Sequence, residues 1–261
     1  MQIIANKPRP DISIVCIAKD EAPKLKLHIP VWKTICNDIV IVDTGSTDSS
    51  IEIFKELGCR VNSSPWLGYG KTKNFGNTLA ANNWILSLDA DELPNEDLIA
   101  QIQGLVLQDH TAYKLNFHTA IGSHFIDHCG WHPLYLSRLF NRNDFQWNKS
   151  IVHEKLVPNK ECRTLKLAGK VKHFSFDDWQ DFYQKQSHYA HLKAASWIQN
   201  GKRPSVFRRF FGPIARFLTG YVYKLGFLDG LNGLKVCLGE ATMVREQIVA
   251  FEKLKLQKAN R

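Results

Sequence analysis

No two of the six cysteines, Cys16, Cys36, Cys59, Cys129, Cys162 and Cys237, stand as a CxxC pair. That spacing excludes a zinc ribbon and a thioredoxin-like redox motif, and it predicts free thiols in a reducing compartment. The opening MQIIANKPRPD has no apolar core of the kind a secretion signal needs, so the chain is expected to be cytoplasmic. No stretch approaches the roughly 20 nearly uncharged residues of a membrane span. The most apolar region, Ile214 to Gly239, is interrupted by Arg216, Lys224, Asp229 and Lys235. Glycine-rich phosphate loops of the GxGxxG or Walker type are also missing, which weighs against a nucleotidyltransferase reading. There are no internal repeats and no low-complexity linker.

What is present is the composition of a folded protein. Over 261 residues the chain is 44% hydrophobic and 23% charged, enough to bury a real core and too apolar to be disordered by default. The net charge of +9 is concentrated at one end: from Gly201 onward twelve Lys or Arg face four acids. A basic tail suits nucleic acid, anionic lipid or a phosphorylated substrate, and equally a solvated helix surface.

Asp11 to Ala18 and Asp38 to Asp43 are Ile- and Val-rich runs with the composition of strands buried on both faces. A helical stretch, KLKLHIPVWKTI, lies between them and is expected to break near Pro30. After Asp43 a Ser or Thr of the GST turn can cap a helix that Gly58 stops. Cys59 to Asn62 reads as a short strand, Lys73 to Ala81 as a helix, and Trp84 to Asp89 as another buried strand. Pro94 is expected to open a helix running through Leu107. This alternation predicts a mostly parallel sheet with helices on both faces, whose ligands bind at the carboxyl ends of the strands. Beyond Asp109, AYKLNFHT and LYLSRLFNR read as strands of a mixed or antiparallel extension. A helix capped at Ser175 in the S-x-x-D form of SFDD follows, then an interleaved aromatic and basic stretch from Pro204.

The sharpest chemical signal is WILSLDADE, a buried strand that ends in carboxylates. Asp43 and the Asp89/Asp91 pair each stand at a strand end, so the topology should bring them to one edge. Asp89 and Asp91 point the same way only if the pleat persists. If it breaks, one can take a divalent cation, Mg2+ or Mn2+, and the other a hydroxyl. Glu92 reads either as part of that group or as a helix-start acid.

Taken in order, IAKDEA, VDTGSTDSS and LSLDADE resemble the inverting glycosyltransferases of family 2, with the GT-A fold, over roughly Ile12 to Ala100. LSRLFNR, IVHEKL, KHFSF, QKQSHYAHLKAA and GFLDGLNGLKV extend the resemblance to bacterial lipopolysaccharide core glucosyltransferases of the WaaE/LgtF type. The resemblance implies an α/β fold: a GT-A mixed sheet flanked by helices, with a helical basic C-terminal extension. It places the catalytic domain at 1–175, with a nucleotide-sugar half near 11–108 and an acceptor half near 109–175, and the extension at 176–261.

It also implies roles. Asp43 accepts a hydrogen bond from uracil, Ala18 faces the nucleotide through its backbone, and Glu21 takes the acidic position of an Asn-Glu pair in which Asp20 replaces the Asn. Lys73 and Asn74 form the basic-Asn element near nucleotide or phosphate. Asp89 binds ribose or a metal-held water, and Asp91 the metal, Mg2+ or Mn2+. An inverting transfer needs a base at the acceptor hydroxyl, for which Glu154 is the first candidate and Asp127 the second. His153 orients the acceptor or fills the core, His173 joins the metal shell or is structural, and Arg138 binds donor or acceptor phosphate or lies on a surface strand.

The expected donor is a UDP-sugar, with glucose as the hexose. The expected acceptor is a lipid A-core heptose; a polyprenyl-phosphate or other polysaccharide acceptor is the alternative. The basic aromatic tail, with Arg208, Arg209, Phe210, Phe211, Arg216 and Phe217, suits an anionic membrane surface on the inner face of the cytoplasmic membrane. A nucleic-acid-binding protein is the alternative from a different class. A near-neutral first half and the lack of any nucleic-acid motif stand against it, so no nucleic acid is expected as a partner.

Overall fold

The β-branched run of Ile12–Ala18 forms β1 and that of Asp38–Asp43 forms β2, paired in parallel so that Ala18 lies beside Asp43. The structure is a computed structural model and describes residues 10–148 and 154–259. Between these strands α1 spans Ala22–Ile35. It runs through Pro30 rather than breaking there, contrary to expectation. The apolar side chains Leu25, Ile29, Trp32 and Ile35, all fully buried, hold the helix against the sheet across the proline.

The elements that follow are α2 (Ser50–Glu56), β3 (Arg60–Ser63), α3 (Tyr69–Leu79), β4 (Trp84–Ser87), β5 (Glu92–Pro94) and α4 (Glu96–Gln103). Gly58, at φ +71, ends the α2 turn as predicted. Pro94 does not open α4. It closes β5, and Asn95 caps the helix by accepting the Leu98 N–H at 3.0 Å. The chain continues through β6 (Thr111–Ile121), β7 (His124–Phe125), β8 (Leu134–Asn141), β9 (Phe145–Trp147), β10 (Leu156–Pro158) and β11 (Arg163–Phe176).

Two compact units emerge. The first holds the chain up to Phe117 together with Leu134–His173, and the second holds His118–Pro133 together with the chain from Phe174. Besides the chain beyond 173, the second unit takes in 118–133. Ile121, Ile126 and Cys129 there share one buried cluster with Phe182, Val236 and Cys237.

In the first unit the strand order is β3-β2-β1-β4-β8-β6-β11-β5. β1, β2, β3 and β4 pair in parallel, and β8 joins β4 antiparallel. This is the expected mixed sheet. Its two faces are covered separately, as the period of two along a strand requires. Ile12, Ile14 and Cys16 of β1 pack with α1 on one side, while Val15 packs with Ala80, Phe140 and Trp147 on the other. On that second face α3 approaches so closely that a Cβ on Gly76 would meet Val15 Cγ1 at 2.6 Å. β2 and β4 flank β1 on opposite sides, so the connections diverge there and open a crevice at the carboxyl ends.

In the second unit α5 (Trp179–Gln199), α6 (Val206–Leu218) and α7 (Gly230–Ala259) are joined by a π-helical turn at Thr219–Tyr223 and a 3-10 turn at Gly226–Asp229. α5 begins four residues later than expected. Asp178, not Ser175, caps it, accepting the Asp181 N–H at 2.7 Å, because Ser175 is still within β11. No residue of α6 is buried. All six cysteines are free thiols. Among the described residues no helix is long and apolar enough to cross a membrane.

Candidate active site

Three strand ends build the first wall. Asp43 closes β2 at 2% exposure, and its carboxylate accepts the N–H groups of Gly45 at 3.1 Å and Ser46 at 3.2 Å from the turn that follows. The Ala18 carbonyl, at the end of β1, accepts the Thr44 N–H at 3.0 Å. Asp20, in the left-handed region at φ +55, accepts the Thr47 N–H at 2.7 Å and donates its own N–H to Ser46 Oγ. The carboxylate that replaces an Asn therefore ties the two turns together, and those donated N–H bonds hold its pKa below the usual range. Glu21 stands just before α1 and faces Lys24 at 3.9 Å.

β4 ends at Ser87, although the Leu88 N–H still reaches Val15 O. The pleat then breaks into a turn, closed by Glu92 N–H to Asp89 O at 3.0 Å and held beneath by His28, whose Nδ1 lies 2.9 Å from Ala90 O. Asp89 and Asp91 are thereby released from a common face and acquire different partners.

Asp89 is gripped by two cations, Lys73 at 3.0 Å and Arg138 at 2.9 Å. Lys73 also binds Glu154 Oε1 at 2.8 Å, and Arg138 binds Glu92 at 2.6 Å. A continuous chain results: Glu154, Lys73, Asp89, Arg138, Glu92. Its members come from the elements preceding β10, within α3, after β4, within β8 and within β5. Lys73 is 2% exposed and lies 4.9 Å over the Trp147 ring. Arg138 sits 5.3 Å over Phe117 and 5.9 Å over Trp147. Neither cation is solvated, so each depends on its carboxylates.

Arg138 is not a surface arginine, one of the two readings the sequence offered; it is buried, and its Nη2 donates to two acids. A β-bulge turns it inward. Tyr113 pairs with Leu139 and Lys114 with Ser137, leaving Arg138 as the extra residue of β8. Glu92 is not a helix-start acid. It opens β5, has no exposed surface, and accepts the Asp89 N–H as well as Arg138. Burial lifts its carboxyl to about 7 against the pull of Arg138. Burial also opposes charge on Asp89, but Lys73 and Arg138 outweigh it and hold that carboxyl well below the ordinary range.

Asn74 is likewise committed within the fold. Its amide donates to Trp147 O at 2.8 Å and accepts the Trp147 N–H at 2.9 Å, so it positions Trp147 rather than facing a donor.

Asp91 and His173 stand on the open side of the turn, 3.4 Å apart and each with 27% of its side chain exposed. Burial pulls the His173 pKa down, but the Asp91 carboxylate opposes this, and the net shift is upward. Asp91, Glu92 and His173 can bring ligand atoms within 4.8 Å of one another. Both Glu92 oxygens are already bonded, to Arg138 and to the Asp89 N–H. The donor set left for a cation is one carboxylate and one imidazole, which fits a divalent ion that completes its shell with water and phosphate oxygens.

Glu154 opens onto a cleft of about 530 Å³ lined also by Lys114, Tyr135, Trp147 and Lys155. Asp127 belongs to the second unit, where it faces His118 at 3.0 Å. His153 lies outside the described residues. Sequence reasoning missed His28, Phe117 and Trp147. Only an apolar setting marked the latter two, and nothing local tied His28 to a turn 62 positions away.

The profile of the Glycosyl transferase family 2 matches residues 32–157. An uncharacterized glycosyltransferase of Rickettsia felis is 28% identical over 239 residues, covering 85% of this chain and 82% of that protein. The lipopolysaccharide core biosynthesis glycosyltransferase LpsC of Rhizobium meliloti is 28% identical over 209 residues, 76% of each chain. The mannosyltransferase PcManGT of Pyrobaculum calidifontis, solved with GDP-Man and Mn2+, superposes with a TM-score of 0.52 at 12% identity, over 93% of this chain and 87% of that one. This last likeness bears on fold alone, and it agrees with the GT-A architecture, a mixed sheet flanked by helices. The profile match spans just under half of the chain, and the two relatives named are glycosyltransferases.

Proposed function

We propose that this chain is a family 2 glycosyltransferase, a metal-assisted, inverting hexosyltransferase that moves glucose from a UDP-sugar to an inner-core heptose of lipopolysaccharide. The observation that carries the reading is the separation of carboxylates at the strand ends. Asp91 and His173 lie 3.4 Å apart in a group whose ligand atoms could converge on a cation, Asp89 is neutralised by two buried cations, and Glu154 faces a cleft. The relation to LpsC, a lipopolysaccharide core biosynthesis glycosyltransferase, supports the lipopolysaccharide acceptor.

In this reading Asp43 and the turn after β2 receive the base and ribose, with Ala18 and Glu21 beside them. A divalent ion, Mg2+ or Mn2+, held by Asp91 and His173 would neutralise the diphosphate as it leaves. Glu154 accepts the proton of the acceptor hydroxyl. Its Oε1 is tied to Lys73, which orients the carboxylate, while Oε2 has no partner among the described residues. Displacement from the face opposite the diphosphate inverts the anomeric centre.

The same reading places the protein on an anionic membrane surface, where a lipid-carried acceptor resides. The helix α6 supports this. Phe207, Phe210, Phe211, Ile214 and Leu218 are all more than half exposed along it. The arginines expected to meet lipid point elsewhere: Arg208 binds Gln247, Arg209 binds Glu252 and Arg216 binds Glu240, all on α7. The exposed flanking cations are Lys202, Arg203 and Lys224.

The test is a donor panel of UDP-sugars with Mn2+ or Mg2+, reading product on deacylated core oligosaccharide. UDP-glucose should be the preferred donor, and chelation should stop transfer. Glu154→Gln should still bind UDP-glucose but lose roughly 10²–10⁴ in turnover. Unimpaired turnover of that variant would remove Glu154 as the base, and full activity in EDTA would remove the metal.

A further inference from the structure

The cleft beside Glu154 carries charge that transfer to a neutral hydroxyl does not require. Of the ionised groups that line it, Glu154 is bonded to Lys73, and Arg138 is bonded to Asp89 and Glu92. Both floor groups are ion-paired within the protein. Lys114 and Lys155 line the same cleft and have no ion pair among the described residues. A third cation, Lys166, sits 4.5 Å over the ring of Tyr135, which is also a lining residue. Lys114 is placed by register: it pairs with Ser137, directly after the bulge that drives Arg138 inward, so β8 buries one cation at the site and β6 offers another.

Two unpaired ammonium groups in a partly enclosed cleft repel each other, and the repulsion is relieved when an anion enters. The half-buried ring of Tyr135, which also lines the cleft, supplies apolar surface of the kind on which a sugar ring rests. Diphosphate chemistry does not explain these lysines, because the open metal ligands Asp91 and His173 are not among the residues lining the cleft.

We infer that the Glu154 cleft selects an acceptor sugar bearing an anionic group, a phosphate or a carboxylate, held by Lys114 and Lys155. The inference deepens the proposed transfer and rests on its assignment of the Glu154 side as the acceptor side. It names the charge that the acceptor must carry next to the hydroxyl that reacts.

The test measures binding without turnover. Ligand-observed NMR titrations of the full chain with glucose, glucose 6-phosphate and glucuronate report affinity for a neutral sugar and two anionic ones. Both or either of the anionic probes should bind at least about tenfold more tightly than glucose, and the tighter of the two identifies the anion. The Lys114→Gln, Lys155→Gln double variant should abolish that preference at an unchanged Tm. The single Lys114→Arg variant, which keeps the charge, should retain it. Equal binding of all three probes overturns the inference, as does an anion preference that survives in the double variant, which would place the anion at the diphosphate site. Because Glu154→Gln turnover is a separate measurement, loss of the anion preference with Glu154 still essential would remove this inference and leave the transfer reading intact.

Discussion

Two regions of the molecule invert the usual placement of side chains in opposite ways. In the first unit Lys73, Arg138 and Glu92 are buried charges; in the second, α6 displays a row of Phe and Ile side chains to solvent. Charged residues are almost never fully buried unless paired, and contiguous exposed apolar surface is uncommon on a monomer. Stability alone explains neither. A buried ion cluster is generally no more stabilising than apolar residues of the same volume, and an exposed Phe gains nothing from folding. The buried charges hold three carboxylates in different states within one turn of chain. The exposed rings are the surface that the proposed membrane contact would use.

The largest effect should come from breaking the buried cluster at its centre. Arg138→Met removes the cation shared by Asp89 and Glu92 while keeping most of the volume over Phe117 and Trp147. The fully buried Glu92 carboxylate then faces that of Asp89, a third of whose side chain is exposed, with only Lys73 to compensate. The expected loss is about 3–5 kcal/mol of unfolding free energy, measured by urea denaturation. A loss under about 1 kcal/mol would mean that the cluster is solvated in the free protein and that Glu92 is not held as described.

The opposite region should respond in the opposite way. A Phe207→Ser, Phe210→Ser, Phe211→Ser triple variant changes three side chains that are 65%, 71% and 54% exposed. Each change should leave stability within about ±0.5 kcal/mol. Cosedimentation with vesicles rich in phosphatidylglycerol should fall at least tenfold, about 1.4 kcal/mol. Undiminished vesicle binding would sink the membrane reading. A drop from dimer to monomer in place of a binding defect would reassign the face to a second copy of the chain.

The contrast also separates what sequence reveals from what it does not. The parallel strands were legible because β1 and β2 are uninterrupted Ile and Val runs, and the convergence of Asp43 with Asp89 follows from strand order alone. The Lys73 to Glu154 bond was not legible, because the partners stand 81 positions apart and only the packing of α3 against β9 brings them together. Arg138 was misread since a bulge has no sequence signature: alternation along LYLSRLFN says nothing of the one residue that falls out of register. The helix-start alternative for Glu92 fails because Pro94 mimics a helix start, while pairing of His173 with Glu92 draws the segment into the sheet. In the tail the interleaving of Arg and Phe was visible, but which of them faces outward depends on Gln247, Glu240 and Glu252 along α7.

The smallest expected effect lies at the other end of the same parallel strands. Asp38, the first residue of β2, binds Arg60 at 2.6 Å and accepts the Ala81 N–H at 2.8 Å. Like Asp89 it pairs with an arginine, but here the arginine side chain is 48% exposed. Burial raises the Asp38 pKa; the Ser13, Ala81 and Arg60 contacts outweigh it, and the net shift is downward. A carboxyl whose folded pKa lies below its unfolded value stabilises the protein above the unfolded pKa, and that increment disappears as pH falls through the folded one. Arg60→Gln should therefore cost under about 1 kcal/mol at pH 7, as an exposed pair allows, and the wild-type advantage should shrink in acid below the usual carboxylate range. Thermal melts of both proteins from neutral pH downward measure the difference. A gap as large as that of Arg138→Met, or one that widened in acid, would show that burial is not what distinguishes the two arginine pairs.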